Sequence, residues 1–227
     1  MKVELINYTP NPDKTCAAAA MSCQSKKTPK EIFDTISDDK IRKVLKSTSD
    51  KGHDSVIEHA SFTFSISGVS RALTHQLVRH RIASFLQQSQ RSVKIDKPDY
   101  VIPPSIESSK DILSEYKTFM EKTWEFYNRL QENGVPAEDA RFVLPNASSS
   151  NIIITMNARS LMNFFELRCC MTSQWEIRKM AWAMLKEVKK VAPIIFEKAG
   201  PLCKNCKETD FICEIRNKKN HLKITEE

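Results

Sequence analysis

Hydrophobic and polar residues alternate most cleanly between Ser61 and Ser67, where Phe62, Phe64 and Ile66 point one way and Ser61, Thr63, Ser65 and Ser67 the other. A period of two marks a strand with one buried face. A weaker version opens the chain. Val3 and Leu5 alternate with Lys2 and Glu4 while Ile6 breaks the pattern, so a strand is predicted from Lys2 to Tyr8. Ile152-Ile153-Ile154 is another short apolar run, and the Ala147-Ser148-Ser149-Ser150 stretch before it reads as a turn-rich junction.

Elsewhere the period is helical. Thr28-Pro29-Lys30-Glu31 has the form of a capping box with proline at the first helical position, so a helix is predicted to start there. Ile41, Val44 and Leu45 share one face of a second helix from Asp38 to about Lys46, and Leu73 and Leu77 mark a third from Ser70 to His80. The segment from Ile82 to Arg91 favours extended or irregular backbone, and Pro98 and Pro103-Pro104 mark a surface excursion. A long amphipathic helix is predicted from Lys110 to Glu132, stopped by Gly134 as its C-terminal cap. Pro136 starts a short helix ending by Pro145, and Asn157 caps another reaching Leu167. Ser173-Gln174-Trp175-Glu176 is a second capping box, opening a helix that can reach Lys198 with a disruption at Pro193. No internal repeat is found. The balance is a helix-rich α+β chain with few strands.

Composition narrows the class. With 227 residues, 41% hydrophobic and 28% charged, the chain can bury one sizeable core. No apolar run is long enough to span a bilayer, and the first residues mix charges with apolar groups unlike a signal peptide, so a cytoplasmic protein is expected. The seven cysteines are odd in number, with Cys169 and Cys170 adjacent, which fits reduced thiols rather than a secreted disulfide framework. A formal net charge of +7 favours anionic partners. Only four glycines are present, at 52, 68, 134 and 200, and neither G-x-G-x-x-G nor a P-loop can be written with them. Any dinucleotide phosphates must therefore be held by cationic side chains.

The densest polar run is Arg79-His80-Arg81-Ile82-Ala83-Ser84-Phe85-Leu86-Gln87-Gln88-Ser89-Gln90-Arg91. Arginine grips phosphate through a planar fork, and serine and glutamine suit phosphate oxygens and base edges. By itself such a run is more often a solvated basic surface.

Arg-His-Arg followed after seven residues by Ser resembles the signature of the flavin-dependent thymidylate synthases. Further segments fit that family in the same order: Gly52-His53-Asp54-Ser55 with Glu58-His59, then Ala140-Arg141-Phe142-Val143-Leu144-Pro145, then Asn157-Ala158-Arg159-Ser160-Leu161-Met162-Asn163-Phe164, Leu167-Arg168 and Gln174-Trp175-Glu176-Ile177-Arg178. The likeness covers about residues 1 to 200. It implies a helix-rich single α+β domain over 1–200 with a small, mainly antiparallel sheet, and leaves 201–227 as a lysine- and cysteine-containing tail. It also implies reductive methylation of dUMP to dTMP, with 5,10-methylenetetrahydrofolate as carbon donor and FAD, reduced by NADPH, as hydride source.

The same resemblance assigns residues. Arg79, His80 and Arg81 match FAD contacts, with Arg79 also at the dUMP site. Gln76, Gln87, Gln88, Ser89, Gln90, Arg91 and Arg141 match positions that hold dUMP, with Gln87 also near the flavin. Ser55, Asn157, Arg159 and Asn163 match flavin contacts; Arg159 and Asn163, four apart on a helix, can reach one ligand together. Arg168 matches the residue held to activate dUMP by favouring ionised N3, a fixed cation beside developing negative charge. The helix dipole alone can also account for a cation at that helix end. Ser89 has no base evident in the local sequence and is expected to bind substrate rather than attack it. No Pro-Cys-His motif supplies a cysteine nucleophile. A homotetramer with shared active sites is implied, and no nucleic-acid or membrane partner is expected. Departures from the family pattern are Cys169-Cys170-Met171-Thr172 after Arg168, Ser92 after Arg91, and a more polar Ser148 to Asn151 stretch. In the tail, Cys203 and Cys206 have zinc-ligand spacing, but Cys213 and His221 do not complete a second pair, so free thiols and no metal are expected.

Overall fold

Phe62, Phe64 and Ile66 are buried in one row, as their alternation predicts, but the strand that carries them runs on to Ser70. A computed structural model describes residues 1–95 and 97–203. In chain order it runs β1 (Lys2–Tyr8), α1 (Pro12–Ser22), α2 (Pro29–Thr35), α3 (Asp38–Asp50), a 3-10 turn (Asp54–His59), β2 (Ser61–Ser70), α4 (Arg71–Leu77) and β3 (Ser84–Gln87). There follow α5 (Pro104–Glu107), α6 (Lys110–Glu132), α7 (Ala137–Ala140), a second 3-10 turn (Arg141–Val143), β4 (Ser149–Asn157), α8 (Ala158–Arg168) and α9 (Trp175–Val191). The four strands form one antiparallel sheet in the order β1-β2-β4-β3. Helices dominate, so the fold is α+β as expected. Cys206, Cys213 and His221 lie outside the described residues.

The chain divides into two compact units. One comprises Met1–Lys2, Ser65–Arg79 and Phe85–Ile154; the other comprises Val3–Phe64, His80–Ser84 and the chain from Thr155 onward. In the first, α6 buries Met120, Trp124 and Tyr127 at helical spacing, and Tyr100 stacks at a tilt on Trp124 and edge-on to Tyr116. Gly134, at φ +84°, ends α6 as predicted: its N–H reaches the Gln131 carbonyl at 3.0 Å, and the next N–H, of Val135, reaches Leu130 at 3.0 Å. A left-handed residue there closes the last turn, and only glycine takes that conformation without steric cost. In the second unit, Phe62, Phe165 and Phe196 meet edge to face at 5.4 and 5.9 Å. There α9 lays Ile177, Met180, Ala181, Met184, Leu185 and Val188 along one buried face. Aromatic pairs in this arrangement add about 1 kcal/mol each to the burial of their area.

Several boundaries differ from expectation, each for a local reason. The 147–150 junction is not all turn: Ser149 and Ser150 already belong to β4, where Ser150 is buried in register with Ile152, Ile154 and Met156. The cap of α9 is Gln174, whose Oε1 accepts from the N–H groups of Glu176 and Ile177 at 3.0 and 3.1 Å, while Ser173 turns its hydroxyl to the Leu167 carbonyl at 2.7 Å. That helix stops at Val191 rather than reaching Lys198, because Pro193 disfavours helical backbone before it and cannot donate. The Thr28 capping box forms as predicted. Ser70 caps α4 through Leu73, but the helix ends at Leu77, short of His80. Helix α1 carries no strong pattern because four of its eleven residues are consecutive alanines; its Asp13 accepts from Ile194 and Ile195 N–H groups at 3.1 and 3.0 Å, tying it to the chain just past α9.

Candidate functional site

The second unit builds its polar residues around α8. Asn157 is the last residue of β4 and caps the helix, its Oδ1 accepting from Ser160 N–H at 2.9 Å. Its oxygen is therefore committed to the helix, and its NH₂ group is the part available to a ligand. Arg159 and Asn163 follow on one exposed face and line a cavity of about 290 Å³ with His53, Asp54, Glu166 and Ile195. Ser55 lies exposed in the 3-10 turn that carries Asp54. Arg159 is ion-paired to Glu58 from the same turn, and that partner raises the guanidinium pKa further above its usual value. Burial, and then the charge of Asp54, raises the Glu166 carboxyl.

At the other end of α8 the chemistry changes. Arg168 donates from Nε to His80 Nε2 at 3.0 Å. An acceptor at Nε2 places the imidazole proton on Nδ1, so the ring is neutral. Burial, followed by the Arg168 charge, pushes His80 down to about 4, which keeps it neutral at ordinary pH. Its ring stands edge-on to Phe164 at 4.9 Å, fixing the orientation in which it meets the arginine. Burial also lowers Arg168, yet a guanidinium remains a cation at any working pH. The carbonyls at this helix end are occupied: Ser173 donates to Leu167, Trp182 to Cys169 at 3.2 Å, and Arg178 to Met171 at 2.7 Å. Burial pushes the Cys169 thiol up to about 12, so it is an inert packing residue and not a nucleophile. Arg81 is exposed.

The first unit gathers most of the residues matched to dUMP. Gln87, on β3, donates from Nε2 to Thr74 Oγ1 at 3.1 Å and Ser150 Oγ at 3.0 Å. Gln88 is bound twice to Asn151, its backbone N–H to the Asn151 carbonyl at 2.8 Å and its side-chain oxygen to Asn151 Nδ2 at 3.1 Å. Ser89 Oγ accepts from Arg91 and Ser92 N–H groups at 3.1 and 3.3 Å, and its nearest side-chain partner is the Ser92 hydroxyl. The hydroxyl thus organises a turn, and no base stands against it in its described contacts. Gln90 Nε2 is buried with no protein acceptor. Gln76 lies on α4 and Arg79 just beyond it, with Arg79 exposed.

Glu138 draws two of these arginines together. Arg91 Nε meets its carboxylate at 2.7 Å, and Arg141 Nε donates to its carbonyl at 3.0 Å. Arg71, the first residue of α4, joins them: burial and then the nearby charge of Arg141 lower its pKa. Three guanidiniums, only Arg91 of them paired to a carboxylate in the described contacts, leave a positive excess suited to a phosphate group. Arg71 was not singled out from sequence; the only signal was its place directly after a helix cap, in the stretch leading to Arg79. Glu166 was likewise brought in by the fold, which also places at the cavity His53 and Asp54, residues the sequence shows in a family segment without a role. Among the described residues no group of three His, Cys, Asp or Glu side chains converges as a metal site needs, and no helix is long and apolar enough to cross a membrane.

Against known proteins, residues 4–194 match the family described as thymidylate synthase complementing protein. A flavin-dependent thymidylate synthase from Clostridium tetani is 47% identical, over 94% of this chain and 93% of its own length. One from Geobacter sulfurreducens is 46% identical over 94% of each chain, and one from Pyrococcus furiosus is 42% identical over 100% and 98%. Among solved structures, the UMP/dUMP methylase PolB from Streptomyces cacaoi, bound with 5-Br dUMP, superposes with a TM-score of 0.77 at 25% identity, covering 86% of this chain and 93% of that one.

Proposed function

Since the chain belongs to the thymidylate synthase complementing protein family, we propose that it methylates dUMP to dTMP reductively, taking the carbon from 5,10-methylenetetrahydrofolate and using FAD recharged by NADPH. It is an enzyme, a flavin-dependent methyltransferase of thymidylate synthesis. The finer assignments rest on the residues. The observation that carries the reading is Arg168, a half-buried cation steadied by a neutral imidazole and left without a carboxylate in its described contacts.

The donor set suits a flavin nucleotide. With no glycine-rich loop available, Arg159, Asn163 and the Asn157 amide, beside the 290 Å³ cavity, offer the cationic and neutral donors that a diphosphate and ribose require. Ser55, Arg79, His80, Arg81 and Gln87 complete the proposed flavin set. Bound FAD supplies the hydride. The protein's own part is positioning and charge. Arg71, Arg91 and Arg141 take the nucleotide phosphate; Gln76, Arg79, Gln87, Gln88, Ser89 and Gln90 hold the rest of dUMP. Gln90 carries a buried donor that a ligand oxygen would satisfy. Arg168 stabilises negative charge on the uracil ring. Without water to screen it, such a cation is a strong electrostatic catalyst.

The chain is proposed to work as a homotetramer whose subunits share each site. Ile82, Leu86 and Phe142 are all strongly exposed apolar residues in or beside the matched motifs, and such residues are commonly covered in an assembly. Mixing Arg168→Ala subunits with subunits altered at Arg79–Arg81 should then restore some activity. The activity itself is tested by anaerobic reduction of the purified protein with NADPH. The yellow flavin should bleach, then reoxidise with stoichiometric dTMP formation when dUMP and methylenetetrahydrofolate are both present. Reoxidation without dTMP would overturn the proposal.

A further inference from the structure

Helix α6 presents a second apolar line beside its core face. Its buried face carries Met120, Trp124 and Tyr127. About 100° round the helix from that face, Ile112, Phe119 and Phe126 are 54%, 63% and 41% exposed. They are spaced by seven residues, two turns of helix, and so form one continuous ridge. Three large side chains in a row on solvent, two of them aromatic, are costly to leave uncovered.

The charges beside the ridge say what covers it. Asp111 and Glu115 flank its first half, and Lys122 and Arg129 flank its second half on the same side of the helix. The Arg129 guanidinium already lies over the Phe126 ring, 5.2 Å from its centroid. If two such helices pack ridge to ridge in antiparallel sense about Phe119, this flank meets its own copy reversed. Glu115 then faces Lys122 of the second helix, and Asp111 faces Arg129, and each pair occurs twice. In a parallel two-fold arrangement the same flank falls on opposite sides of the helix pair, so these charges do not meet. The pattern is self-complementary in one orientation only, as an isologous two-fold contact requires.

We infer that the Ile112–Phe119–Phe126 face of α6 is a self-association surface, pairing antiparallel with α6 of a second copy of this chain. Three side chains per copy cover less than the roughly 800 Å² per partner of a standard interface, so the helix pair is one contact within a larger assembly. The inference rests on the proposal that the chain is oligomeric and names one of its contacts.

Sedimentation of the full chain, wild type and variant, tests it. Phe119→Glu should halve the sedimenting mass while circular dichroism stays unchanged, since Phe119 is exposed. Glu115→Lys alone should weaken the association at least tenfold, and adding Lys122→Glu should restore it. A wild-type chain that sediments as a monomer overturns the oligomer proposal and this contact together. A wild-type oligomer that Phe119→Glu leaves intact, or a charge exchange that restores nothing, overturns the contact alone.

Discussion

The two ends of α8 hold their arginines in opposite ways. Arg159 lies in the first turn, exposed, at the positive end of the helix dipole, and Glu58 neutralises it. Arg168 lies in the last turn, half-buried, where the dipole favours a cation, and its described side-chain contact is an uncharged imidazole. A guanidinium paired with a carboxylate has its charge compensated and must exchange partners to bind an anion. One held by neutral His80 is oriented yet keeps its charge for a ligand. The difference separates an arginine suited to binding, which competes with a local acid, from one suited to catalysis, which is ready before the substrate arrives.

The largest effect expected from this contrast is at Arg168. Arg168→Ala should slow dTMP formation by about 100- to 1,000-fold, the range for removing one preorganised electrostatic donor, with flavin still bound and circular dichroism unchanged. Initial rates at saturating substrates measure it. A rate within twofold of wild type would reduce Arg168 to a helix-end cation satisfied by the dipole, and the two ends would no longer differ in kind.

Next comes the histidine that steadies it. His80→Phe keeps the edge-on packing against Phe164 but removes the acceptor for Arg168, and should lower kcat about tenfold; His80→Gln, whose side-chain oxygen can accept, should recover most of the loss. There is also a pH signature. The folded protein holds His80 near 4, below the ordinary 6.5, so the unfolded chain binds that proton more readily. The stability associated with the neutral ring is complete above pH 6.5 and is lost as pH falls from 6.5 towards 4. Urea midpoints should therefore fall more steeply over that window for wild type than for His80→Gln. Parallel curves would mean that His80 is not held neutral in the fold.

Much of this was legible in the sequence where the signal is local. The Phe62-Phe64-Ile66 alternation, the Thr28 capping box, Gly134 at the end of α6 and Asn157 at the start of α8 need only neighbouring residues, and all were read correctly. The family motifs name Arg159, Asn163 and Arg168, which the fold carries on the single helix α8. What escaped depends on partners far along the chain. The bond between Arg168 and His80 spans 88 residues and that between Arg159 and Glu58 spans 101, so no periodicity could reveal that one end of α8 is neutralised and the other is not. Arg71 was passed over because its meaning comes from Arg141, which another element brings beside it. Helix α1 was invisible because Pro12, Cys16, Ala17 and Ala18 bury a face without any strong contrast between apolar and polar positions.

The smallest effect lies at the exposed end of α8 and sharpens the comparison most finely. If Glu58 competes with the flavin phosphates for Arg159, then Glu58→Gln should tighten flavin binding, because the arginine no longer has to leave a carboxylate. Surface ion pairs are generally worth between 0 and about 1 kcal/mol, so the gain cannot exceed about fivefold in Kd. It should also shrink as salt is added, since the competing pair is itself screened. Flavin titration of the apoprotein at two ionic strengths measures both. The rate of dTMP formation at saturating flavin should not change, because Arg159 is assigned to holding the cofactor. If Glu58→Gln instead weakens flavin binding, the carboxylate is positioning Arg159 for its ligand rather than competing with it. Arg159 would then be preorganised as Arg168 is, by a charged partner instead of a neutral one.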